Sequence, residues 1–220
     1  MPAIHVEFQT KRELAVDKVK GAILAGRYLP GQTLRQGQLM ADLGLGATPA
    51  REAALELVAK GLLVHESHRG MRVAGLDPAR VAHVYAVRAL LEADAARLAV
   101  GFATDATIEE VSGHARTMET AFANHDLALL GTADACFHRA LYAGAGNPVL
   151  LNLIEQMWEQ FPRHVLWQNP QRVRQSLREH GDIATAFARR DASATAHAVE
   201  RHILHGLDAF TARLRSSAAV

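Results

Sequence analysis

Twelve of the 220 residues are histidine, and nine of those lie beyond residue 80. Such a density in one stretch raises the question of metal ligation, because neutral imidazole is among the most versatile side-chain ligands for zinc and its neighbours. Asp134 and His138 stand four apart, which on an α-helix puts a carboxylate and an imidazole on one face. With ten aspartates and twelve histidines, chance supplies about half such a pair, and Glu110 with His114 has the same spacing. Spacing alone therefore leaves a surface or packing role open for each of these residues. Arg51 is the other chemically pointed position. In the first turn of an exposed helix, its guanidinium could span a phosphate or the O6/N7 edge of guanine, though an ordinary surface arginine fits the same place.

The elements that would carry these residues follow from periodicity. Leu14, Val16, Val19, Ile23 and Leu24 mark a first amphipathic helix, ended by Gly26 and the turn Tyr28-Leu29-Pro30-Gly31. A second helix is expected over about Gln36 to Leu43. Gly44-Leu45-Gly46 then turns into a third that opens at Thr48-Pro49, with Thr48 as N-cap and Pro49 at the first helical position. In that helix Ala50, Ala53, Ala54 and Leu57 share one stripe and must face a core, which turns Arg51 and Glu52 outward. Leu62-Leu63-Val64 and Met71-Arg72-Val73 read as two strands around a polar turn, a small wing. After Asp77-Pro78 the pattern is continuously helical, so the domain boundary is placed near residue 76, dividing the chain into 1–76 and 77–220. Further helix starts fall at Thr104 or Asp105, near His125-Asp126, at Asn147-Pro148, after Asn169-Pro170 and at Asp191. The expected fold is mainly α: an N-terminal winged helix-turn-helix with a β-hairpin wing, then an all-α antiparallel bundle of about six helices.

Composition sets the outer limits. The 49% hydrophobic content suffices for two small cores. The single cysteine, Cys136, forbids an intramolecular disulfide and suits a reducing compartment. The opening MPAIHVEFQTKREL lacks the apolar stretch of a signal peptide, and no run of about 18 uncharged apolar residues occurs, so a cytoplasmic protein without a membrane span is expected. Net charge is +1, made of +3 over residues 1–75 and −2 over residues 76–220. That asymmetry is too small to point to a polyanionic partner by itself.

From Val16 to Val73 the sequence closely resembles the winged helix-turn-helix of the GntR family of transcription regulators. The matches run in order through Gly26, Pro30-Gly31, Leu39, Leu43-Gly44, Thr48-Pro49-x-Arg51-Glu52-Ala53, Gly61-Leu62 and Arg69-Gly70. Where most members carry Ser-Arg before Thr-Pro, this chain has Gly46-Ala47, so base readout must lean on other positions. The resemblance leaves Arg35, Gln36 and Gln38, then Thr48 and Arg51, and His68, Arg69 and Gly70 in the wing as DNA-contacting candidates.

Residues 80 to 205 resemble the FCD ligand-binding module of the FadR-type branch of that family. Its marks here are Arg88-x3-Glu92, Asp134-x2-Phe137-His138, Ala145-Gly146-Asn147, Glu179-His180 and His202, with Gly181 standing where larger residues are common. The resemblance implies a divalent metal held by Asp134, His138, His180 and His202, while Glu110, His114, His197 and His205 match no ligand position. Three imidazoles and one carboxylate suit Zn²⁺ or Ni²⁺ and leave coordination positions open. It further implies a small organic acid as effector, for which Arg88 is the candidate anchor, although an intrahelical pair with Glu92 accounts equally for that arginine. The resemblance thus implies a homodimeric repressor of palindromic operator DNA, controlled by a carboxylic acid at the metal. A metal-dependent enzyme is the alternative; the attached DNA reader and the lack of a further positioned acid or base speak against it.

Overall fold

The computed structural model describes residues 10–66, 70–75, 77–160, 166–167 and 169–218. His68 and Arg69 therefore lie outside the described residues. Helix α1, Lys11–Leu24, opens on a capping box in which the Thr10 side chain accepts from Glu13 N and the Glu13 carboxylate accepts from Thr10 N. Its core stripe is Ala15, Val16, Val19, Ala22 and Ile23. Leu14, assigned to that stripe from the sequence, stands 44% exposed, because Ala15 one position on occupies the inward angle.

A two-residue strand β1, Thr33–Leu34, precedes α2, Gln36–Leu43, which ends on the left-handed Gly44. Helix α3 spans Ala47–Ala59 with Gly46 as its N-cap, so Thr48 is not the cap and Pro49 sits third in the helix. Proline is tolerated there because first-turn N–H groups have no intrahelical acceptor to lose. Strands β2, Leu63–Glu66, and β3, Gly70–Val73, pair antiparallel with Leu63 opposite Val73 and Glu66 opposite Gly70. β1 adds to the other edge of β3, giving the order β1-β3-β2. The hairpin thus becomes a three-stranded wing. Tyr28, Leu34, Leu39, Leu57 and Leu63 are enclosed in the core between helices and sheet, and the Tyr28 hydroxyl donates to Asp42 Oδ2 at 3.0 Å.

This first compact unit ends at residue 76; the second holds the helices from residue 77 onward. They are α4 Pro78–Phe102, α5 Asp105–Ala123, α6 Leu127–Ala143, α7 Pro148–Trp158, α8 Pro170–Ala188 and α9 Ala192–Ala218. Each start carries the expected polar cap: Asp77, Thr104, Asp126, Asn147, Asn169 and Asp191 each accept from backbone N–H groups of the following turn. α4 lies along α9, α5 along α6, and α8 packs on both α5 and α9. Gly206 of α9 permits that first approach, since a Cβ there would stand 3.2 Å from Tyr85 Cε1 of α4. No described helix is long and apolar enough to cross a membrane.

Candidate metal centre

His138 of α6, His180 of α8 and His202 of α9 are all buried, and one nitrogen of each lies within 4.8 Å of the other two. His138 Nε2 is 3.1 Å from His180 Nε2. The carboxylate of Asp134, one turn before His138, places Oδ1 3.4 Å from His180 Nε2 and 3.9 Å from His138 Nε2. The four residues named from the sequence therefore converge.

What the rings do with their other nitrogens decides the chemistry. His180 Nδ1 lies 2.7 Å from the Ser176 carbonyl, which can only accept, so Nδ1 carries the proton. His202 Nδ1 lies 2.8 Å from Glu179 Oε2, with the same consequence. His138 Nδ1 is 3.0 Å from the Tyr142 hydroxyl, whose own proton goes to Glu92 Oε2 at 3.0 Å, so the phenol oxygen accepts from His138. In the neutral rings all three Nε2 atoms are then bare lone pairs directed into one small space. His202 is kept neutral near pH 7: burial above all, then the neighbouring His180, brings its pKa down to about 4 against the opposing pull of Glu179. Burial pushes the Glu179 carboxyl upward, yet hydrogen bonds and charge from His202, Arg172 and His205 prevail and bring it to about 2. Two unprotonated ring nitrogens 3.1 Å apart repel each other, and a cation shared between them turns that repulsion into coordination. Nitrogens sharing one zinc at about 2.0–2.1 Å stand about 3 to 3.4 Å apart, and imidazoles whose other N–H is held by carbonyl or carboxylate are the usual zinc donors. The donor set fits a divalent metal.

Arg88 is 3% exposed and its Nε donates to Glu92 Oε1 at 2.6 Å, so the intrahelical pair does form. Glu92 also receives Trp158 Nε1 and the Tyr142 hydroxyl. Among the described residues the Nη groups of Arg88 find no hydrogen-bond acceptor, and the guanidinium lies 4.9 Å over the Tyr85 ring. Arg88 lines a cavity of about 40 Å³ together with Asp134, His138 and His202. Arg172 of α8 lines it too, 6% exposed, with Nη1 donating to Glu179 Oε2 at 2.9 Å.

Arg172, Tyr142 and Trp158 have no role in the sequence-based site, and Glu92 enters it only as the pairing partner of Arg88. Spacing hints only at Arg172, two turns before Glu179 on one helix face; the others reach the site from different helices. His205, assigned to surface or packing, donates from Nδ1 to Glu179 Oε1 at 2.7 Å and so buttresses the partner of His202. Glu110 and His114 stand apart from the centre, 4.0 Å from each other.

In the first unit, Ala50, Ala53, Ala54 and Leu57 are all 0% exposed, whereas Thr48 and Arg51 are exposed; because α3 begins at Ala47, Arg51 is its fifth residue and stands in the second turn, not in the first as the sequence placed it. Arg35 is exposed, and Gln36 and Gln38 are half-buried. The Gln36 amide donates to the Ala47 carbonyl at 2.8 Å, tying α2 to the start of α3. Gly70 has φ +98°, and a Cβ there would meet the Leu34 carbonyl oxygen at 3.0 Å, so backbone geometry alone requires glycine at this point of the wing.

Residues 11–73 match the model of bacterial regulatory proteins of the gntR family, and residues 83–205 match that of the FCD domain. The HTH-type transcriptional repressor GlaR of Escherichia coli is 26% identical over 205 residues, covering 84% of this chain and 89% of that protein. A probable D-xylose utilization operon repressor of Paenarthrobacter nicotinovorans is 35% identical over 129 residues, 59% of this chain and 57% of that one. Among solved structures, McbR/YncC of E. coli superposes with a TM-score of 0.78 at 23% identity over 90% of this chain and 95% of that one, a likeness of fold.

Proposed function

Since the chain belongs to the gntR family of bacterial regulators and carries its FCD domain, we propose that residues 1–76 bind a palindromic operator as part of a homodimer, and that residues 77–220 dimerise and govern this binding through a small carboxylic acid held at a divalent metal. Both matching domains are those of transcription regulators, so the alternative of a metal-dependent enzyme falls away. GlaR and the probable D-xylose operon regulator are both named repressors, which supports repression as the mode of action; a transcription regulator of this kind would work in the cytoplasm.

The convergence of three Nε2 lone pairs, each ring locked by its Nδ1–H partner, carries the metal assignment. Asp134, His138, His180 and His202 would hold Zn²⁺ or Ni²⁺. When bound, such an ion supplies a Lewis-acidic anchor for a carboxylate oxygen. Arg88 supports the acid: it is a buried cation on the wall that Asp134 and His202 share, and its Nη groups meet no acceptor among the described residues. Charge narrows the ligand further. Arg88 and Arg172 face Glu92, Glu179 and Asp134, one negative charge in excess; a divalent ion reverses this to one positive charge, which a monoanion neutralises. At about 40 Å³ the cavity has room for roughly three waters, which suits a short monocarboxylate.

Calorimetry with short monocarboxylates on metal-loaded and metal-stripped protein tests this function, combined with operator gel shifts at saturating acid. Binding should require metal, and the acid should change operator affinity. An acid that binds both forms equally, or leaves DNA affinity untouched, would overturn the mechanism.

A further inference from the structure

The cavity beside the metal centre has one aromatic wall that none of the charged groups explains. Trp167 and its neighbour Leu166 line it alongside Arg88, Asp134, His138 and His202. The Trp167 indole is half-buried, one part turned to the cavity and the remainder reaching the surface. It rests on α6 at Gly131, three residues before Asp134, where a Cβ would run into Cη2 and Cζ3 of the ring. Real Cβ atoms do not come that close, so the indole can occupy this place only because residue 131 has no side chain. Gly131 is an ordinary helical position in α6 with no positive φ, where alanine would favour the helix by about 1 kcal/mol. Backbone conformation therefore gives no reason for glycine here, and the seat of the indole does.

We propose that Trp167, lodged in the notch at Gly131, is the wall that closes the metal cavity and limits the length of acid it admits. This rests on the acid-at-metal function above. A flat, rigid ring shields the lone-pair cluster from bulk water and meets any chain that extends beyond the carboxylate, while Arg88 and the ligands fix the carboxylate end.

Two measurements test the wall, one of which needs neither metal nor acid. First, acetate, propionate and butyrate are titrated by calorimetry into metal-loaded wild type, Gly131→Ala and Trp167→Ala. Wild type should lose about tenfold or more in affinity for a methylene that meets the ring. Both variants should flatten that decline, and an identical decline in all three proteins would overturn the proposal. Second, acrylamide quenching is measured on metal-free protein, the Trp167 signal being the difference between wild type and Trp167→Phe. Trp167 should be partly shielded in wild type and clearly more quenchable in Gly131→Ala; equal quenching in the two would also overturn the wall. Wild type that binds none of the acids would end the effector function, yet the quenching comparison would still decide whether Trp167 closes the cavity. Trp167→Ala removes the ring without placing a methyl in α6, so the titration still decides should Gly131→Ala fold poorly.

Discussion

Glu92 is 0% exposed and accepts from Arg88 Nε, Trp158 Nε1 and the Tyr142 hydroxyl, donors from α4, α7 and α6. Removing one partner of a buried ion pair strands the other charge, which costs about 3–5 kcal/mol. Glu92→Ala should therefore lower stability by that order in urea denaturation. Glu56→Ala, which breaks the exposed contact with Arg12, should cost only about 0–1 kcal/mol. Elemental analysis is expected to find close to one divalent ion per chain in wild type and little of it in His180→Ala; equal metal content in the two proteins would refute the ligand set. Residue by residue, the four candidate ligands could be named only through the family pattern, since with twelve histidines and ten aspartates their types and spacing also admit Glu110 with His114. The meeting of Glu92 with Tyr142 and Trp158 was not legible, because carboxylate, phenol and indole join over separations of 50 and 66 residues that no local spacing records. The Arg88–Glu92 spacing was visible, but only burial shows that one arginine can hold this pair and still face the cavity.

At the scale of elements, caps made the bundle readable. Aspartate, asparagine or threonine at each start, followed by proline in three cases, fixes where a helix can begin whatever packs against it later. α3 escaped by two residues, since Gly46 rather than Thr48 caps it. β1 escaped altogether, because two residues offer no alternation to recognise and owe their conformation to pairing with Met71 and Arg72. Two predictions belong to these elements. Arg51→Ala, on the exposed side of α3 near its N-terminus, should weaken operator binding by about 1–3 kcal/mol in a gel-shift titration with the melting temperature unchanged. Gly70→Ala should instead lower the melting temperature, by an equivalent of at least about 1 kcal/mol. It places a Cβ at positive φ and 3.0 Å from the Leu34 carbonyl, straining the junction of β1 and β3.

For the molecule as a whole, the proposed function makes regulation a matter of linked equilibria between an operator site and an acid site. An acid present at one hundred times its dissociation constant should stabilise the protein by about 2.7 kcal/mol, visible as a raised melting temperature. Linkage requires the operator to change acid affinity by the same factor by which the acid changes operator affinity. Titrating acid with and without saturating operator checks this, and unequal factors would exclude simple coupling between two sites. The +3 and −2 division of charge between the parts said little of this in advance, since coupling depends on which contacts differ between states rather than on net charge.

The fastening at Glu92 has a mechanical side as well. α4 is one uninterrupted rod of 25 residues whose first residue, Pro78, stands where the first unit has just ended. Glu92 lies fourteen positions along it, about 21 Å from that end at 1.5 Å per residue. With the rod pinned to α6 and α7 through Glu92, a tilt of about 10° around that pin swings the Pro78 end through about 4 Å. Arg88 sits one turn from the fulcrum, on the same arm as Pro78, so a small displacement at its guanidinium would be a severalfold larger one at the Pro78 end.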